Sequence, residues 1–178
     1  MLNKSCSFIG HRTIQHTKEL EIKINNLIEC LIIKFDVSNF LFGSRSEFNT
    51  LCYSIVSKLK EKYTNIKRIS YTCKSEICIY EKERDYWENV LFRISNKKIS
   101  LFGMEEEVEH KTKYTAGKAS YIERNFAMID DSDYCIFYYD NNYKPNVNSK
   151  KKFCSSNSGT KIAYEYAKRK KKIIYNIF

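Results

Sequence analysis

Apolar residues along the chain follow two spacings, which alternate. Short uninterrupted apolar runs, such as "SCSFIG" and "DYCIFYYD", are typical of buried strands. Between them, apolar residues recur every three or four positions, as expected for helices with one buried face. The runs predict strands over Ser5–Gly10, Ser38–Gly43, Ile66–Cys73, Asp133–Asp140 and Lys172–Ile177. The helical spacing predicts helices over Thr17–Lys34, along Phe48, Leu51, Cys52, Ile55 and Leu59, over Tyr114–Asp131 and over Gly159–Lys171.

One segment, Cys78–His110, interrupts this alternation. Its composition favours a charged helix near Tyr80–Leu91 and a short strand in "KKISLFG". The following stretch, "MEEEVEH", is expected to be an acidic loop or the start of a helix. We therefore expect residues 78–110 to be an insertion in the otherwise regular order of elements.

The alternation of strands and helices predicts an α/β fold. Such an order gives a mostly parallel sheet, here of about five strands, in a Rossmann-like three-layer domain covered by helices on both faces. At this length, residues 1–178 are expected to form a single domain. Right-handed crossovers bring the turn after each strand to one edge of the sheet. Ligands bind beyond that carboxyl edge, where the strand order reverses, so functional residues are expected there.

The composition of the chain is informative about function mainly through its net charge. The formal net charge is +10 at pH 7, which favours anionic partners such as nucleotides, nucleic acid or an anionic membrane without choosing among them. The basic run Lys168–Lys172 resembles a nucleic-acid patch. It also ends a predicted helix, however, and cations are stabilised at helix C-termini. We favour this local explanation.

The cysteines indicate a reducing compartment. There are seven, an odd number, and no CxxC pair occurs. Several lie inside apolar runs, so we expect reduced core residues, not disulfides or zinc ligands. Neither a metal nor a resident cofactor is predicted. The N-terminal apolar run is too short for a signal peptide and no stretch is long enough for a membrane span, which predicts a cytoplasmic protein.

Two turns after the first strands offer groups that bind anions. In "GHR", Gly10 would let a ligand approach the backbone, and His11 and Arg12 follow; Arg12 offers a planar fork to a phosphate. An exposed turn without function is the alternative. In "FGSRSEF", backbone and hydroxyl donors meet a helix N-terminus; its candidate ligand-binding residues are Gly43, Ser44, Arg45, Glu47 and Phe48. An ordinary helix start, with Ser44 and Glu47 at capping-box spacing, explains the same residues.

Two further segments belong to the same predicted edge. In "YIERNFAMID", Ile122, Phe126 and Ile129 are expected to face the sheet, which leaves Arg124 and Asn125 at the side as candidates. Asp140 ends the strongest strand. The helix start "SGT" brings small residues and a helix dipole to a phosphate, with Ser158, Gly159 and Thr160 as candidates. Here the alternative is a serine-capped helix with glycine in the turn.

Together these motifs resemble the SLOG superfamily, the Rossmann-like group that links the Smf/DprA proteins and the Lonely Guy enzymes. "CSFIGHR" resembles the first-strand signature of its small bacterial branch, and "LFGSRSEFNTLC" the second turn and helix. "ERNFAMIDDSDYCIFYYD" and "SGTKIAYEYAKRKKKIIYNIF" resemble its C-terminal half. The resemblance covers nearly the whole chain, least of all Cys78–His110. It implies one SLOG-like domain that binds a nucleotide or ribose phosphate.

The resemblance implies two alternative functions. Lonely Guy enzymes are phosphoribohydrolases with a motif P-G-G-x-G-T-x-x-E; here Gly159 and Thr160 match, but Ala163 stands at the glutamate position. Glycosidic cleavage needs a carboxylate, so its loss favours a non-catalytic binder. Other members bind ADP-ribose derivatives, and the sensors of Thoeris antiphage effectors recognise a cyclic ADP-ribose signal. A stand-alone protein of this kind, encoded by a bacterial host or a phage, would sense or sequester such a signal.

The binder would use Arg12, Arg45 and Arg124, of which Arg12 and Arg124 are expected at the surface of the site. The alternative is a phosphoribohydrolase that uses Arg124 with a carboxylate from Glu47, Glu123 or Asp140. Single-stranded nucleic-acid binding, as in the Smf/DprA relatives, is a third possibility. Homo-oligomerisation is also expected, because the family often dimerises through helices and 15% of the residues are aromatic.

Overall fold

A computed structural model describes residues 3–43, 46–73, 106–110, 113, 118–143 and 158–178. Strands and helices alternate over most of these residues. The strands are β1 (Lys4–Gly10), β2 (Val37–Phe42), β3 (Lys67–Cys73), β4 (Glu106–His110), β5 (Tyr134–Tyr138) and β6 (Ile173–Asn176). The helices are α1 (Lys18–Phe35), α2 (Glu47–Lys62), α3 (Lys118–Asp130) and α4 (Gly159–Arg169).

The strands form one sheet in the order β4-β3-β2-β1-β5-β6, and each neighbouring pair is parallel. The order runs outward from β1 to β4 on one side and from β5 to β6 on the other. It therefore reverses between β1 and β5. This reversal fixes the crevice in which a doubly wound sheet binds its ligands.

Alternate side chains of the strands enter two different apolar layers. Phe8 and Ile136 pack with Ile24 and Ile28 of α1 and with the apolar face of α2. On the opposite side, Ile9, Cys135 and Phe137 pack with Ile129 of α3 and with Ala163 and Ala167 of α4. Helices thus cover both faces of the sheet, and the predicted α/β, Rossmann-like three-layer fold is confirmed.

The strand β4 corrects the sequence analysis. Glu106–His110 was expected to be an acidic loop or helix start, and it is instead a strand parallel to β3. Glutamate is depleted in strands, so the local pattern was misleading, but an edge strand tolerates charged residues. The sheet consequently has six described strands instead of about five. The predicted helix near Tyr80–Leu91 and the strand in "KKISLFG" lie outside the described residues.

Two helix predictions also need correction. Helix α2 is capped by Ser46, whose hydroxyl accepts from Asn49 N, and not by Ser44. In α3, Ile129 is fully buried, but Phe126 is only half-buried. Its ring stacks on Tyr166 of α4 at a centroid distance of 3.8 Å. Phe126 therefore packs between two helices and not on the sheet.

The described cysteines behave as core residues. Cys6, Cys52, Cys73 and Cys135 are buried, Cys30 is half-buried, and none of these five forms a disulfide. Burial raises the pKa of the Cys6 and Cys52 thiols well above the usual value and that of Cys135 to about 11. The prediction of core cysteines is confirmed for Cys6, Cys52, Cys73 and Cys135; Cys78 and Cys154 lie outside the described residues.

The basic run after α4 has local partners. Lys172 Nζ donates to the carbonyls of Asp130 and Ser132, at 2.9 and 2.6 Å, close to the end of α3. Lys170 pairs with the Asp130 carboxylate at 2.9 Å. Two residues of the run thus have partners at the end of α3, whereas its predicted stabilisation by the C-terminus of α4 stays a prediction. None of the described helices combines the length and the apolar composition that a membrane crossing requires.

Candidate functional site

The turns after β1 and β5 meet at the reversal point of the sheet. Gly10 ends β1 beside Tyr138, which ends β5. The chain continues as His11 and Arg12 on one side and as Tyr139 and Asp140 on the other. The N-termini of α2 and α4 open toward the same carboxyl edge, because each helix follows a strand that ends there.

The His11 side chain joins the two turns. Its backbone N–H donates to Tyr138 O at 3.2 Å, and its ring nitrogen Nε2 accepts from the N–H of Asp140 at 2.9 Å. The ring stacks on Tyr143 at a centroid distance of 3.9 Å and an interplanar angle of 16°. With only 2% of the residue exposed, His11 is a buried clamp and not part of a flexible surface turn.

The contacts of His11 fix its protonation. The carbonyl of Asp140 lies 3.3 Å from Nε2, but the amide N–H of Asp140 is closer and can only donate. Nε2 is therefore the acceptor, and the neutral ring carries its proton on Nδ1. Burial lowers the pKa of His11, outweighing the opposing effect of Asp140. The ring is thus neutral at neutral pH.

Gly10 has a packing role at this edge. A Cβ atom added to it would overlap the Phe48 side chain, which is fully buried and lies 5.8 Å, between ring centroids, from Tyr138. The absence of a side chain at Gly10 lets α2 approach β1. Phe48, a predicted ligand-binding residue, is therefore part of the buried core beneath Gly10.

Asn49 holds the first two turns together, and the sequence analysis missed it. Its Nδ2 donates to Phe8 O at 3.0 Å, and its Oδ1 accepts from Gly43 N at 3.3 Å. The side chain is 3% exposed. One signal was present, since Asn49 shares a helical face with the apolar Cys52 and Val56. A polar residue on such a face is expected to bind buried backbone groups.

The N-terminus of α2 is tied to the turn after β1. Glu47 N donates to Arg12 O, and the Glu47 carboxylate accepts from Ile14 N, each at 2.9 Å. Glu47 therefore positions the turn that carries His11 and Arg12. The Arg12 side chain is exposed at this position. Ser44 and Arg45 lie outside the described residues, so their predicted contacts stay predictions.

Arg124 corrects an expectation about the site. It was predicted at the surface but is 2% exposed, and its guanidinium carbon lies 5.2 Å from the centre of the Tyr121 ring. A Cβ atom added to Gly43 would overlap Met128 and lie 3.0 Å from Arg124 Nε. Both side chains thus pack on the turn after β2. Asn125, the neighbouring candidate, is half-buried.

The start of α4 has the expected form. Ser158 caps the helix by accepting from Lys161 N at 3.1 Å, and Thr160 is buried. Among the described residues, a Cβ atom added to Gly159 would meet nothing within 4 Å, which leaves space beside the first turn of α4. Ala163 lies one turn further, 1% exposed in the apolar layer against the sheet. A glutamate at that position would begin inside this layer.

The carboxylates of the edge already bind backbone amides. Asp140 Oδ1 accepts from Asn142 N at 2.8 Å, as Glu47 does from Ile14 N. Within the described part of the chain, no group of three histidine, cysteine, aspartate or glutamate residues has the arrangement of a metal site. The described residues of the edge include a neutral histidine, an exposed arginine and the start of α4, and the last two suit the binding of an anionic ligand.

We expect Asn49→Ala to destabilise the fold by about 1–3 kcal/mol, because Phe8 O and Gly43 N would lose a buried partner. Unfolding in urea, followed by circular dichroism, measures this effect. Asn26→Ala is the matched control, since Asn26 is exposed on α1 and its loss should change stability by no more than about 0.5 kcal/mol. Equal stability of the two variants would contradict the bridging role of Asn49.

The His11 clamp predicts a pH dependence of stability. Because the pKa of His11 is lowered from 6.5 in the folded state, the unfolded chain binds the proton more readily. His11 should contribute full stability above about pH 6.5 and progressively less as the pH falls below that value. Urea midpoints between pH 8 and 5 should therefore decline less steeply in His11→Gln, where an amide oxygen can replace Nε2 as acceptor.

The control for this measurement is His16→Gln. The His16 side chain is 59% exposed and its only described ionic contact is Glu21 at 3.8 Å, so the pH profile of this variant should follow that of the wild type. A wild-type slope that His11→Gln leaves unchanged would show that the ring is not held neutral by burial.

The chain was compared with models of known protein families and with curated proteins. Neither comparison returned a significant match. Function must therefore be inferred from the geometry and chemistry of the carboxyl edge, together with the resemblance of its motifs to the SLOG superfamily.

Proposed function

We propose that the protein is a non-catalytic binder of a nucleotide-derived small molecule of the ADP-ribose or cyclic ADP-ribose type. The observation that carries the proposal is the reversal of strand order between β1 and β5, with His11 joining the two turns at that point. Doubly wound sheets bind nucleotides in this crevice. A preorganised crevice lowers the cost of ordering the site on binding.

The phosphates would be bound by the open start of α4 and by Arg12. Gly159 leaves room for close approach, and the N–H groups of the first turn, together with the helix dipole, favour a negative charge. The exposed guanidinium of Arg12 can add two parallel hydrogen bonds to a phosphate. The net charge of +10 at pH 7 favours an anionic ligand over a neutral one.

Binding is favoured over hydrolysis because the described carboxylates near the crevice have other partners. Glu47 and Asp140 accept backbone N–H groups, and position 163 carries an alanine in the apolar layer. To protonate the leaving base, Glu47 or Asp140 would have to leave its backbone partner; Glu123, the third candidate, is half-buried on α3. On the resemblance of its motifs, we further propose that the protein belongs to the SLOG superfamily, is cytoplasmic and senses or sequesters a defence signal.

The proposal predicts that ADP-ribose binds and is recovered intact. Calorimetry should give a dissociation constant for the wild type, and chromatography after denaturation should return unchanged ADP-ribose. Arg12→Ala should weaken binding by roughly 10- to 150-fold, the equivalent of about 1.5–3 kcal/mol for a lost charge-assisted hydrogen bond. Arg169→Ala is the matched control, because Arg169 is exposed at the far end of α4. Arg124→Ala is unsuitable as a binding test, since Arg124 is buried.

Other results would contradict the proposal. Free base plus ribose phosphate, formed at a rate that Glu47→Gln, Glu123→Gln or Asp140→Asn abolishes, would show a phosphoribohydrolase. Strongly salt-dependent binding of single-stranded DNA without binding of ADP-ribose would indicate a nucleic-acid protein. No binding of ADP-ribose or cyclic ADP-ribose at millimolar concentration would overturn the proposed ligand class.

Self-association is a second part of the proposal. Helix α1 exposes Ile22 and Ile33, which are 57% and 60% accessible, and exposed apolar side chains favour an interface between copies. Light scattering at micromolar concentration should give the mass of a dimer or a larger oligomer. Ile33→Lys should shift the population toward the monomer, and a monomeric wild type would contradict this part of the proposal.

A further inference from the structure

A basic cavity lies at the amino edge of the sheet, opposite the crevice at the carboxyl edge. Its volume is about 470 Å³, within the range of about 300–1,000 Å³ that is typical of small-molecule sites. The first residues of β1, β5 and β6 line it, together with the segments that follow α3 and α4. The charged residues of its lining are Lys4, Lys170, Lys171, Lys172 and Asp133, so the cavity is positively charged.

Two of these lysines are held by local contacts. Lys170 pairs with the Asp130 carboxylate at 2.9 Å, which balances its charge. Lys172 Nζ donates to the carbonyls of Asp130 and Ser132, at 2.9 and 2.6 Å. The carbonyls fix this ammonium group without neutralising it. They occupy two of its three N–H donors, so Lys172 can donate the third to a ligand.

The other two lysines add charge that the described residues do not balance. Within the described part of the chain, neither the Lys4 nor the Lys171 ammonium group has a hydrogen bond or an ion pair. Since Lys170 is balanced, three ammonium groups of the lining oppose the carboxylate of Asp133. The C-termini of α3 and α4 each add about half a negative charge. These helix ends reduce the excess of two positive charges but do not cancel it.

The backbone at Lys171 is an independent indication of a role for its side chain. Its φ of 54° lies in the left-handed region, where glycine is favoured because it has no Cβ atom. Lys171 N donates to Lys168 O at 3.0 Å and Lys172 N to Ala167 O at 3.1 Å, the pair of bonds that commonly ends a helix at a glycine. The end of α4 by itself therefore favours glycine where this chain has a lysine.

Stabilisation of cations by the C-terminus of α4 does not account for the whole cluster. Lys4 begins a strand, and β1 lies two positions from β6 in the sheet, with β5 between them. Two strand spacings separate β1 and β6 by about 10 Å. Lys4 and Lys171 can therefore contact neighbouring groups of one anionic ligand from two sides.

We propose that this cavity is a second anion-binding site, for a small ligand with two or more linked phosphate groups, such as pyrophosphate or a nucleoside diphosphate. Lysine binds phosphate as a point charge. An excess of two positive charges suits a ligand with at least two negative charges. Because the cavity and the crevice lie at opposite edges of the sheet, this inference does not depend on the proposed function.

The test is a titration with pyrophosphate at low ionic strength, followed through the amide signals in nitrogen-15 NMR spectra. We expect the amides of Ser132, Lys171 and Ile173 to shift with a common Kd. Lys4→Ala and Lys171→Gly should each weaken binding about 5-fold, the equivalent of about 1 kcal/mol for one lysine near phosphate groups. Lys58→Ala is the matched control and should leave the Kd unchanged, because the Lys58 side chain is 69% exposed on α2.

Lys171→Gly also tests the backbone argument. Glycine adopts the left-handed conformation without a Cβ clash, so this variant should unfold at the same urea concentration as the wild type or at a higher one. A lower midpoint would show that the Lys171 side chain stabilises the fold, and would overturn its assignment to a ligand. Lys4→Ala tests the same site without altering the end of α4.

Other results would overturn the second site. Amides at the amino edge that do not shift at millimolar pyrophosphate would exclude it, and equal weakening by Lys58→Ala would show attraction by net charge alone. Shifts confined to Gly10 and Gly159, and lost in Arg12→Ala, would support the proposed function while this inference fails. Tighter binding of a single-stranded oligonucleotide than of pyrophosphate, through the same lysines, would indicate a nucleic-acid surface instead.

Discussion

The burial of β1 on both faces and along both edges is the constraint on which this structure depends. Cys6 and Phe8 face the layer formed by α1 and α2, Ile9 faces the opposite layer, and the neighbouring strands pair with both edges. Buried backbone groups need hydrogen-bond partners, and side chains supply them where the ladder of such a strand ends. Asn49 binds Phe8 O, and the His11 ring binds the N–H of Asp140 in the adjacent turn. The polar groups of the site follow from completing the hydrogen bonds at this strand end.

These hydrogen bonds divide the residues at the carboxyl edge of the sheet into a fixed group and an accessible group. His11, Asn49 and Phe48 are buried and held by several contacts, so their positions are set by the fold before any ligand arrives. Arg12 and the turn at Gly159 are accessible. A ligand would therefore be oriented by the buried part and attracted by the exposed part, a division that suits selective binding of an anion.

The sequence correctly predicted those strands and helices whose own residues determine which face is buried. The apolar runs of β1 and β5 and the helical spacing of α1 and α2 define the layers without reference to any other part of the chain. Strand β4 could not be predicted, because its acidic residues become a strand only through pairing with the edge of β3. Phe126 was misplaced for a similar reason, since its partner Tyr166 lies on a helix some 40 residues further along the chain.

The site was harder to predict than the fold, because the roles of its residues depend on neighbours from distant segments. Arg124 has the spacing of a side-facing residue on an amphipathic helix. It is nevertheless buried, because Gly43 leaves room for its side chain beside the turn after β2. His11 was selected only as a member of the GHR turn, whereas its structural role comes from the Asp140 amide and the Tyr143 ring. Only the assembled edge reveals which candidate is a clamp and which is accessible.

The hydrogen bonds that the carboxylates of the site accept from backbone N–H groups also bear on whether the site can catalyse. A general acid must be free to change its protonation during a reaction. The carboxylates of Glu47 and Asp140 each accept a backbone N–H, and protonation would weaken that bond and loosen the turn it holds. Catalysis by either residue would therefore disturb the geometry that defines the crevice. The use of both carboxylates to hold the turns of the site supports the proposal that the protein retains its ligand and does not cleave it.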